Sequence, residues 1–346
     1  MTFNDARDVR PRRMRAEWEP QDAVIIAWPH VDTDWAPDLP SVNVCYVALA
    51  TKIAERERLI ILTPYPDDIP DEVKVLDQVT VCRMATNDTW TRDYGPLSVD
   101  IEGMPVLLDF TFNAWGMKFA ADRDNLVNSR LAQTGMFAAP MENHRDMVLE
   151  GGSVDTDGHG TVITTTACLL SDNRNPHMSK ARIEQELLQR LGARKVLWLD
   201  HGTIPGDDTD CHIDTLARFA NPETIVYATA NPGDDNYEEM LAMERQLRTF
   251  SDADNRPYRL VPLPAAETLL DTEGEPMPAT YANFLVTNHL LLVPTYGNSL
   301  ADRQAIETLA RLYPDRKVAG IDCRPLIAQH GSLHCATMQL AQGTLK

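Results

Sequence analysis

The sequence lacks any apolar run long enough to cross a lipid bilayer. Its longest apolar runs, residues 23–28 and 290–294, are far shorter than the ~20 residues that a membrane-spanning helix needs. The N-terminus is polar and then rich in arginine, without the apolar segment of a secretory signal peptide. We therefore expect a cytoplasmic protein that does not bind membranes.

The sequence also lacks paired cysteines and any excess of positive charge. Its 6 cysteines are scattered without a Cys-x-x-Cys pair, which argues against a disulfide framework or a zinc ribbon. Its 51 acidic residues outnumber 32 basic ones, for a formal net charge of -19. This acidity disfavours nucleic acid and anionic membranes as partners, because both carry dense negative charge. A small cationic partner is electrostatically favoured, although such acidity also serves solubility alone.

The sequence does contain a regular alternation of short β-branched runs and amphipathic stretches. The amphipathic pattern predicts five helices, at residues 41–56, 123–134, 179–191, 235–250 and 299–312. The β-branched runs predict ten strands, at residues 23–28, 59–63, 79–83, 106–110, 162–166, 196–199, 225–229, 260–263, 290–294 and 318–321. A chain of 346 residues predicts two domains or one large repeat-built domain, and no linker divides it. The helix starts recur roughly every 60–80 residues, which is typical of a propeller-like array of five units.

The densest group of reactive side chains lies near the C-terminus, in residues 330–337. This segment reads His-Gly-Ser-Leu-His-Cys-Ala-Thr. From the residues alone, Cys335 has three open interpretations: a buried structural thiol, a metal ligand or a nucleophile. A nucleophile requires a base, which the fold has to bring from elsewhere in the chain.

A candidate base lies in the acidic segment 206–214. His212 and Asp214 have i,i+2 spacing, which in an extended segment places both side chains on one face. A histidine and a carboxylate that face one pocket suit proton transfer beside a bound cation. The same composition is also typical of a solvated acidic turn.

Two further loops carry carboxylates next to turn signals. Asp93 lies in the segment 87–96, which follows a predicted strand and ends in a Gly-Pro break. Glu150 precedes Gly151 and Gly152, whose missing β-carbons permit a tight turn. Each carboxylate, taken alone, is also explained as an ordinary turn residue.

Together and in this order, the four segments resemble the agmatine deiminase family, which is related to the bacterial peptidylarginine deiminases among the enzymes that modify guanidino groups. The resemblance covers nearly the whole chain. It also includes the segments AEWEP (16–20), AWPH (27–30), FNAWG (112–116), NRNP (173–176) and YANF (281–284). It implies one catalytic domain, residues 1–346, with an α/β fold. That fold is a five-bladed, pseudo-symmetric propeller of ββαβ-type units, the pentein fold, with the active site on its axis.

Carried over residue by residue, the resemblance implies that Cys335 is the nucleophile and His212 the general acid and base. It implies that Asp93 and Asp214 hold the guanidinium of the substrate, and that Glu150 lies beside the histidine. Two carboxylates suit this task because a planar guanidinium donates paired, charge-assisted hydrogen bonds. The resemblance implies no cofactor and no metal, and it implies a homodimer.

The reaction that the resemblance implies is hydrolysis of agmatine to N-carbamoylputrescine and ammonia. We expect Asp208 on the amine side of the substrate, Trp90 and Trp115 beside its butyl chain, and Asn283 among the substrate-binding residues. A deiminase of free arginine would instead need a cation for the substrate carboxylate, for which Arg92 is the candidate. Deimination of peptidyl arginine or another small guanidine, amidino transfer, and a non-catalytic binding propeller are the remaining alternatives.

The chain departs from the family pattern in two places. Residues 329–334 read Gln-His-Gly-Ser-Leu-His, where family members commonly carry a glycine-rich run. Cys211 occupies a position at which glycine is frequent, and it is either a second reactive thiol or a packed side chain. These departures weaken the case for agmatine as the substrate more than the case for deimination.

Overall fold

The computed structural model describes residues 11–346. The polar N-terminal residues, from which the absence of a signal peptide was predicted, lie largely outside this range. Within it, no helix combines the length and apolar character that membrane crossing requires.

The described part of the chain is a mixture of short strands and helices. The strands are β1 (Arg12–Met14), β2 (Gln21–Ala27), β3 (Leu59–Thr63), β4 (Val79–Arg83), β5 (Leu97–Ile101), β6 (Met104–Thr111), β7 (Met141–Val148), β8 (Val154–Thr156), β9 (Thr161–Thr165), β10 (Lys195–Leu199), β11 (Ala217–Asn221), β12 (Thr224–Tyr227), β13 (Arg259–Pro262), β14 (Leu269–Leu270), β15 (Pro276–Met277), β16 (Leu285–Val286), β17 (Leu290–Thr295), β18 (Lys317–Asp322) and β19 (Met338–Ala341). The helices are α1 (Leu39–Ala54), α2 (Asp71–Lys74), α3 (Thr91–Tyr94), α4 (Ala114–Met117), α5 (Val127–Gln133), α6 (Thr166–Leu169), α7 (Lys180–Leu191), α8 (Ile213–Leu216), α9 (Tyr237–Leu247), α10 (Ser299–Leu312) and α11 (Arg324–Ile327).

One strand arrangement recurs in five sheets. In each sheet, a first strand pairs antiparallel with a second, and the second pairs parallel with a third after a helical crossover. The five units are β5-β6-α5-β7, β8-β9-α7-β10, β11-β12-α9-β13, β16-β17-α10-β18 and β19-β2-α1-β3. A parallel pair requires such a crossover, because the chain has to return to the same end of the sheet. In the fifth unit β19 pairs with β2, so that strands from the two ends of the chain lie in one sheet.

Burial explains why these segments form strands and helices. The middle strands β3 and β17 are almost wholly buried, and their near-continuous apolar sequences suit a sheet that is covered on both faces. The crossover helices bury one apolar side each; α10, for example, buries Ala301, Ala305 and Leu309. All five predicted helices and all ten predicted strands overlap an observed element, and the predicted α/β class is confirmed.

Gly192 provides a test of how tightly the units pack. It ends α7 with φ +69°, and a β-carbon there would lie 2.1 Å from the carbonyl oxygen of Arg12 in β1. Gly274, in the turn between β14 and β15, has a similar φ of +88°, but a β-carbon there would meet no atom within 4 Å.

We expect Gly192→Ala to lower the free energy of unfolding by about 3 kcal/mol, since it adds a backbone clash to the left-handed strain. Gly274→Ala should cost only about 1 kcal/mol, because it adds the strain alone. Chemical denaturation of both variants measures the difference. Equal losses in the two variants would show that the contact between α7 and β1 is loose.

Candidate active site

Five of the predicted site residues occupy equivalent places in the five units. Each lies in the turn that leads into the first strand of its unit. Asp93 precedes β5, Glu150 precedes β8, Asp214 precedes β11, Asn283 precedes β16 and Cys335 precedes β19. The repeated topology therefore brings five loops that are distant in sequence to one place.

Cys335 is buried in the middle of this group. Its Sγ lies 3.2 Å from Asn283 Nδ2, which donates to it, and 3.8 Å from Asp214 Oδ2. The backbone N–H of Cys335 donates to Asn283 Oδ1 at 3.3 Å. Burial, followed by the negative charges of Asp214 and Asp93, raises the pKa of the Cys335 thiol well above its usual value. The thiol is therefore neutral at pH 7 when the site holds no added cation.

His212 lies between three carboxylates. Its Nε2 is 3.4 Å from Glu150 Oε2, and its Nδ1 is 3.6 Å from Asp93 Oδ1 and 4.0 Å from Asp214 Oδ1. Burial alone would lower the pKa of His212, but the charge of Asp93 and the hydrogen bond to Glu150 outweigh it and raise the pKa well above its usual value. The ring is accordingly an imidazolium that can donate a proton.

Asp93 is a carboxylate that burial makes easy to protonate. Its Oδ1 accepts the backbone N–H of Gly152 at 2.9 Å, and its Oδ2 accepts the indole N–H of Trp115 at 3.0 Å. Burial and the nearby charge of Asp214 raise its pKa to about 6, although the charge of His212 opposes them. Asp93 consequently loses its negative charge on mild acidification.

Asp214 has the opposite electrostatic environment. Its Oδ2 accepts a hydrogen bond from His334 Nδ1 at 2.7 Å. Burial opposes ionisation, but this hydrogen bond and the charges of His334 and His212 lower the pKa of Asp214 below its usual value. The two carboxylates that face His212 therefore differ in how readily each one is protonated.

Glu150 lies behind His212 and is held by Arg174. Arg174 Nε donates to both carboxylate oxygens, at 3.0 and 2.8 Å, and its charge lowers the pKa of Glu150 against the effect of burial. Cys168 Sγ lies 3.7 Å from Glu150 Oε2, and one ligand atom each of Glu150, Cys168 and His212 lie within 4.8 Å of one another. Because Glu150 is paired with a guanidinium and His212 is protonated, we assign this group to hydrogen bonding and not to a metal.

Two polar atoms of the site are buried without a hydrogen-bond partner among residues 11–346. They are His212 Nδ1 and Asp214 Oδ1, which lie 4.0 Å apart. An unpaired buried polar atom is costly, so such atoms are usually completed by a ligand or by water. Gly152 lies close to this part of the site, because a β-carbon there would lie 2.7 Å from both Asp93 Oδ1 and His212 Nδ1.

A cavity of about 230 Å³ leads from Cys335 towards the surface. Its lining residues are Asp34, Asp88, Trp90, Asp93, Trp115, Phe119, Asp208, Thr209, Ala328, Gln329, His330, Gly331 and Cys335. This lining includes four aspartates and neither arginine nor lysine. Trp90, Trp115 and Asp208 thus lie where the sequence predicted cavity residues. Asp88 and Asp34 were not predicted, although Asp88 belongs to the segment 87–96 that was singled out for Asp93.

Burial also raises the pKa values of two other aspartates that line the cavity, Asp88 and Asp208. The pKa of Asp88 rises to about 6. Carboxylates in this state gain most from a cation placed between them, because the cation offsets the cost of their buried negative charge.

Six residues that the sequence singled out do not line the cavity: Glu150, His212 and Asp214, described above, and Asn283, Arg92 and Cys211. Asn283 is buried behind Cys335, which its side chain contacts. Arg92 is buried with its guanidinium against Glu17, at 3.1 Å, on the side away from the cavity. Cys211 is half-buried, and burial raises the pKa of its thiol to about 11, so that it is a packed thiol of low reactivity.

The wall formed by Trp115 has an unusual backbone. The four residues of α4 all have positive φ, namely 51° for Ala114, 54° for Trp115, 85° for Gly116 and 65° for Met117. Three of these are not glycine, and each such residue costs about 1 kcal/mol or more in this region. The turn aims the Trp115 indole N–H at Asp93, so the strain is localised at a contact of the candidate site.

Comparison with known proteins agrees with this arrangement. An agmatine deiminase from Medicago truncatula is 32% identical over 359 residues, covering 94% of this chain and 95% of that protein. A solved structure from Porphyromonas gingivalis, with the proposed name arginine deiminase, is 47% identical with a TM-score of 0.91, and covers 97% of this chain and 100% of its own. An agmatine deiminase from C. jejuni, solved with substrate bound, is 34% identical with a TM-score of 0.90 and 97% coverage of both chains.

The sequence also matches the Porphyromonas-type peptidyl-arginine deiminase family over residues 13–341, which is nearly the whole chain. This match and the relatives above confirm the resemblance on which the predicted site residues were chosen. The chain belongs to the Porphyromonas-type peptidyl-arginine deiminase family.

Proposed function

We propose that this protein hydrolyses agmatine to N-carbamoylputrescine and ammonia, with Cys335 as the nucleophile. The observation that carries the proposal is the group of two carboxylates, Asp93 and Asp214, and one imidazolium, His212, around the thiol. The unpaired Asp214 Oδ1 can accept a hydrogen bond from a planar cation rich in N–H donors. The agmatine deiminase names of the Medicago truncatula and C. jejuni relatives support the same reaction.

In the first half of the proposed reaction, the guanidinium binds between Asp93 and Asp214. Its positive charge offsets the two carboxylates that raise the pKa of Cys335, so the thiol loses its proton to solvent. The thiolate then attacks the guanidinium carbon and forms a C–S bond. His212 donates its Nδ1 proton to the departing nitrogen, which leaves as ammonia when the C–N bond breaks.

In the second half, His212 is neutral and acts as a base. It removes a proton from a water molecule, whose oxygen attacks the carbon of the amidino-thioether on Cys335. The C–S bond breaks, the hydroxyl proton returns to sulfur, and the substituted urea is released. The hydrogen bond between His212 Nε2 and Glu150 keeps the ring oriented through both steps.

The cavity favours agmatine over arginine. The primary amine of agmatine is a second cation, and Asp208, Asp88 and Asp34 line the part of the cavity beyond Cys335. Trp90 and Trp115 offer apolar walls to the butyl chain. The α-carboxylate of arginine would meet these same aspartates, because Arg92 is engaged by Glu17.

We also propose that the whole chain, residues 1–346, forms one domain, in which the five units surround an axis as the blades of a propeller. The shared strand order of the five sheets supports this, as does the pairing of β19 with β2, which joins the first and last units. The equivalent placement of the site residues supports it too. A crystal structure with a pseudo-fivefold axis through Cys335 is the expected result. The homodimer stays a prediction.

The experiment that tests the proposed function is an assay of purified protein, without added metal, against agmatine, arginine and a peptide with C-terminal arginine. We expect ammonia and N-carbamoylputrescine from agmatine, and slower or no turnover of the other two. The proposed name of the Porphyromonas gingivalis neighbour makes free arginine the substrate to exclude. Release of neither ammonia nor a ureido product from any of them would overturn the proposal.

Cys335→Ser should abolish turnover while it preserves the fold. The hydroxyl is close in size to the thiol but is a much weaker nucleophile, so we expect a loss of at least about 1000-fold in kcat. Steady-state assays measure the loss, and the circular dichroism spectrum and thermal midpoint serve as controls for folding. Turnover at the wild-type rate in this variant would exclude the covalent mechanism.

The raised pKa of Cys335 predicts how the rate of alkylation of its thiol depends on pH. Because the pKa is raised, little thiolate exists near pH 7, and iodoacetamide should modify Cys335 far more slowly than it modifies glutathione. The rate should keep rising with pH beyond the range where an ordinary thiol levels off. Mass spectrometry of the Cys335 peptide measures this. Fast alkylation at pH 7 that does not increase with pH would show that the resting site already holds a thiolate.

Asp208→Asn tests the amine side of the cavity. We expect it to raise the KM for agmatine at least about tenfold, since it removes one charged contact with the amine. The KM for methylguanidine, which has no amine, should stay nearly constant and provides the control within the same variant. Equal changes for the two substrates would remove Asp208 from the amine subsite.

A further inference from the structure

A chain of hydrogen bonds leads from Asp214 to residues that do not line the cavity. His334 Nδ1 donates to Asp214 Oδ2 at 2.7 Å, and His334 Nε2 donates to Glu17 Oε1 at 2.7 Å. His334 is almost fully buried, with 2% of its surface exposed. Glu17 lies in the segment 16–20 and is separated from His334 by 317 positions, so the contact depends on the tertiary fold.

This geometry defines the charge of the ring. Carboxylates only accept hydrogen bonds when they are ionised, and both ring nitrogens of His334 face one at hydrogen-bonding distance. Both nitrogens must then carry protons, so that His334 is an imidazolium between two carboxylates.

Glu17 is itself fixed by other charged and polar groups. Arg218 Nη2 and Arg92 Nη1 contact its carboxylate at 2.5 and 3.1 Å, and Gln339 Nε2 donates to it at 3.0 Å. Arg218 Nε also pairs with Asp155 at 3.2 Å. The position of His334 is therefore set by a network that does not contact the cavity.

The hydrogen bond from His334 occupies only one oxygen of Asp214. The other oxygen, Oδ1, is left without a partner and faces His212 Nδ1 at 4.0 Å, while Asp214 Oδ2 is 3.8 Å from the thiol of Cys335. Arg218, Arg92 and Asp93 are further charged groups whose fields act on Asp214. Rotation of the carboxylate is thereby restricted, with Oδ1 directed at the position of the guanidinium.

We propose that His334 and Glu17 are positioning residues, which orient Asp214 towards the guanidinium and keep it ionised. The inference rests on the proposed function, since it deepens the account of how that site holds a guanidinium. It gives the two substrate carboxylates different tasks. Asp214 is a fixed negative charge, whereas Asp93, which has no such partner, gains and loses a proton.

The proposal makes a specific prediction about the pH profile. In the wild type, the acid limb of kcat/KM for methylguanidine, which has no amine to contact Asp88 or Asp208, should reflect one proton, because Asp93 titrates near pH 6 while Asp214 stays ionised. Without the His334 hydrogen bond and charge, burial is opposed only by the charges of groups such as His212 and Arg218, and the pKa of Asp214 rises towards that of Asp93. The acid limb should then move to higher pH and steepen towards a slope of two protons.

The test compares His334→Gln and Glu17→Gln with the control His201→Gln. His201 forms a similar pair with Glu239 at 3.1 Å, but this pair is exposed on the surface and neither residue lines the cavity. We expect His334→Gln to raise the KM for agmatine at least about tenfold, with a smaller change in kcat, and to alter the acid limb as described. Glu17→Gln should shift the profile in the same direction by less, and His201→Gln should leave it unchanged.

Binding of agmatine in a Cys335→Ser background, measured by calorimetry, adds a readout that needs no turnover. Addition of His334→Gln to this background should weaken agmatine binding by a factor similar to the expected rise in KM. This loss of affinity should grow as the pH falls. If His334→Gln does not fold, the pH profile and the agmatine affinity of Glu17→Gln test the proposal instead.

A lowered thermal midpoint with an unchanged profile and unchanged agmatine affinity would overturn the proposal, because it would show a structural role alone. An inactive wild type would instead reject the proposed function. The two failures are therefore distinguishable.

Discussion

The burial of Asp93 and Asp214 beside one thiol is the constraint on which the rest of the site depends. Two negative charges removed from water repel each other, and each disfavours a thiolate at Cys335. The protein offsets part of this cost with the imidazolium of His212 between the carboxylates and with that of His334 behind Asp214. The other aspartates of the cavity lining, Asp34, Asp88 and Asp208, leave a charge imbalance that favours a cationic substrate. A guanidinium has the shape and the donors to pair with the carboxylates beside the thiol.

This imbalance links binding to reactivity. As long as the site lacks a bound cation, the thiol is neutral and protected from general alkylation and oxidation. In the proposed reaction, a guanidinium both neutralises the carboxylates and presents the carbon that the thiolate attacks. Recognition and activation of the nucleophile then depend on the same charges, and the strained turn at Trp115 and the networks of Arg174 and Glu17 serve to hold those charges in place.

Periodicity and turn signals were sufficient to predict the crossover helices and the long apolar strands. They did not predict the short first strands of the units, such as β8 and β16. These have three and two residues, and β8 carries the buried Asp155. Such strands form because tertiary neighbours complete them, and a short segment has no period to detect.

In the candidate site too, features marked by local sequence patterns could be predicted, whereas features created by tertiary contacts could not. Residues next to recognisable turns, such as Cys335 and Glu150, were found from the sequence. The partnership of His334 with Glu17, the acidic residue Asp88 and the left-handed turn at Ala114–Met117 were not, because each depends on contacts between distant segments.

The most direct measurement of the central claim is a crystal structure of the Cys335→Ser variant with agmatine. We predict that the guanidinium lies between Asp93 and Asp214, with its carbon facing the side chain at position 335 and its amine directed towards Asp208. Asp214 Oδ1 should accept a hydrogen bond from it. A guanidinium bound elsewhere, or agmatine bound with its amine between the two carboxylates, would contradict this claim.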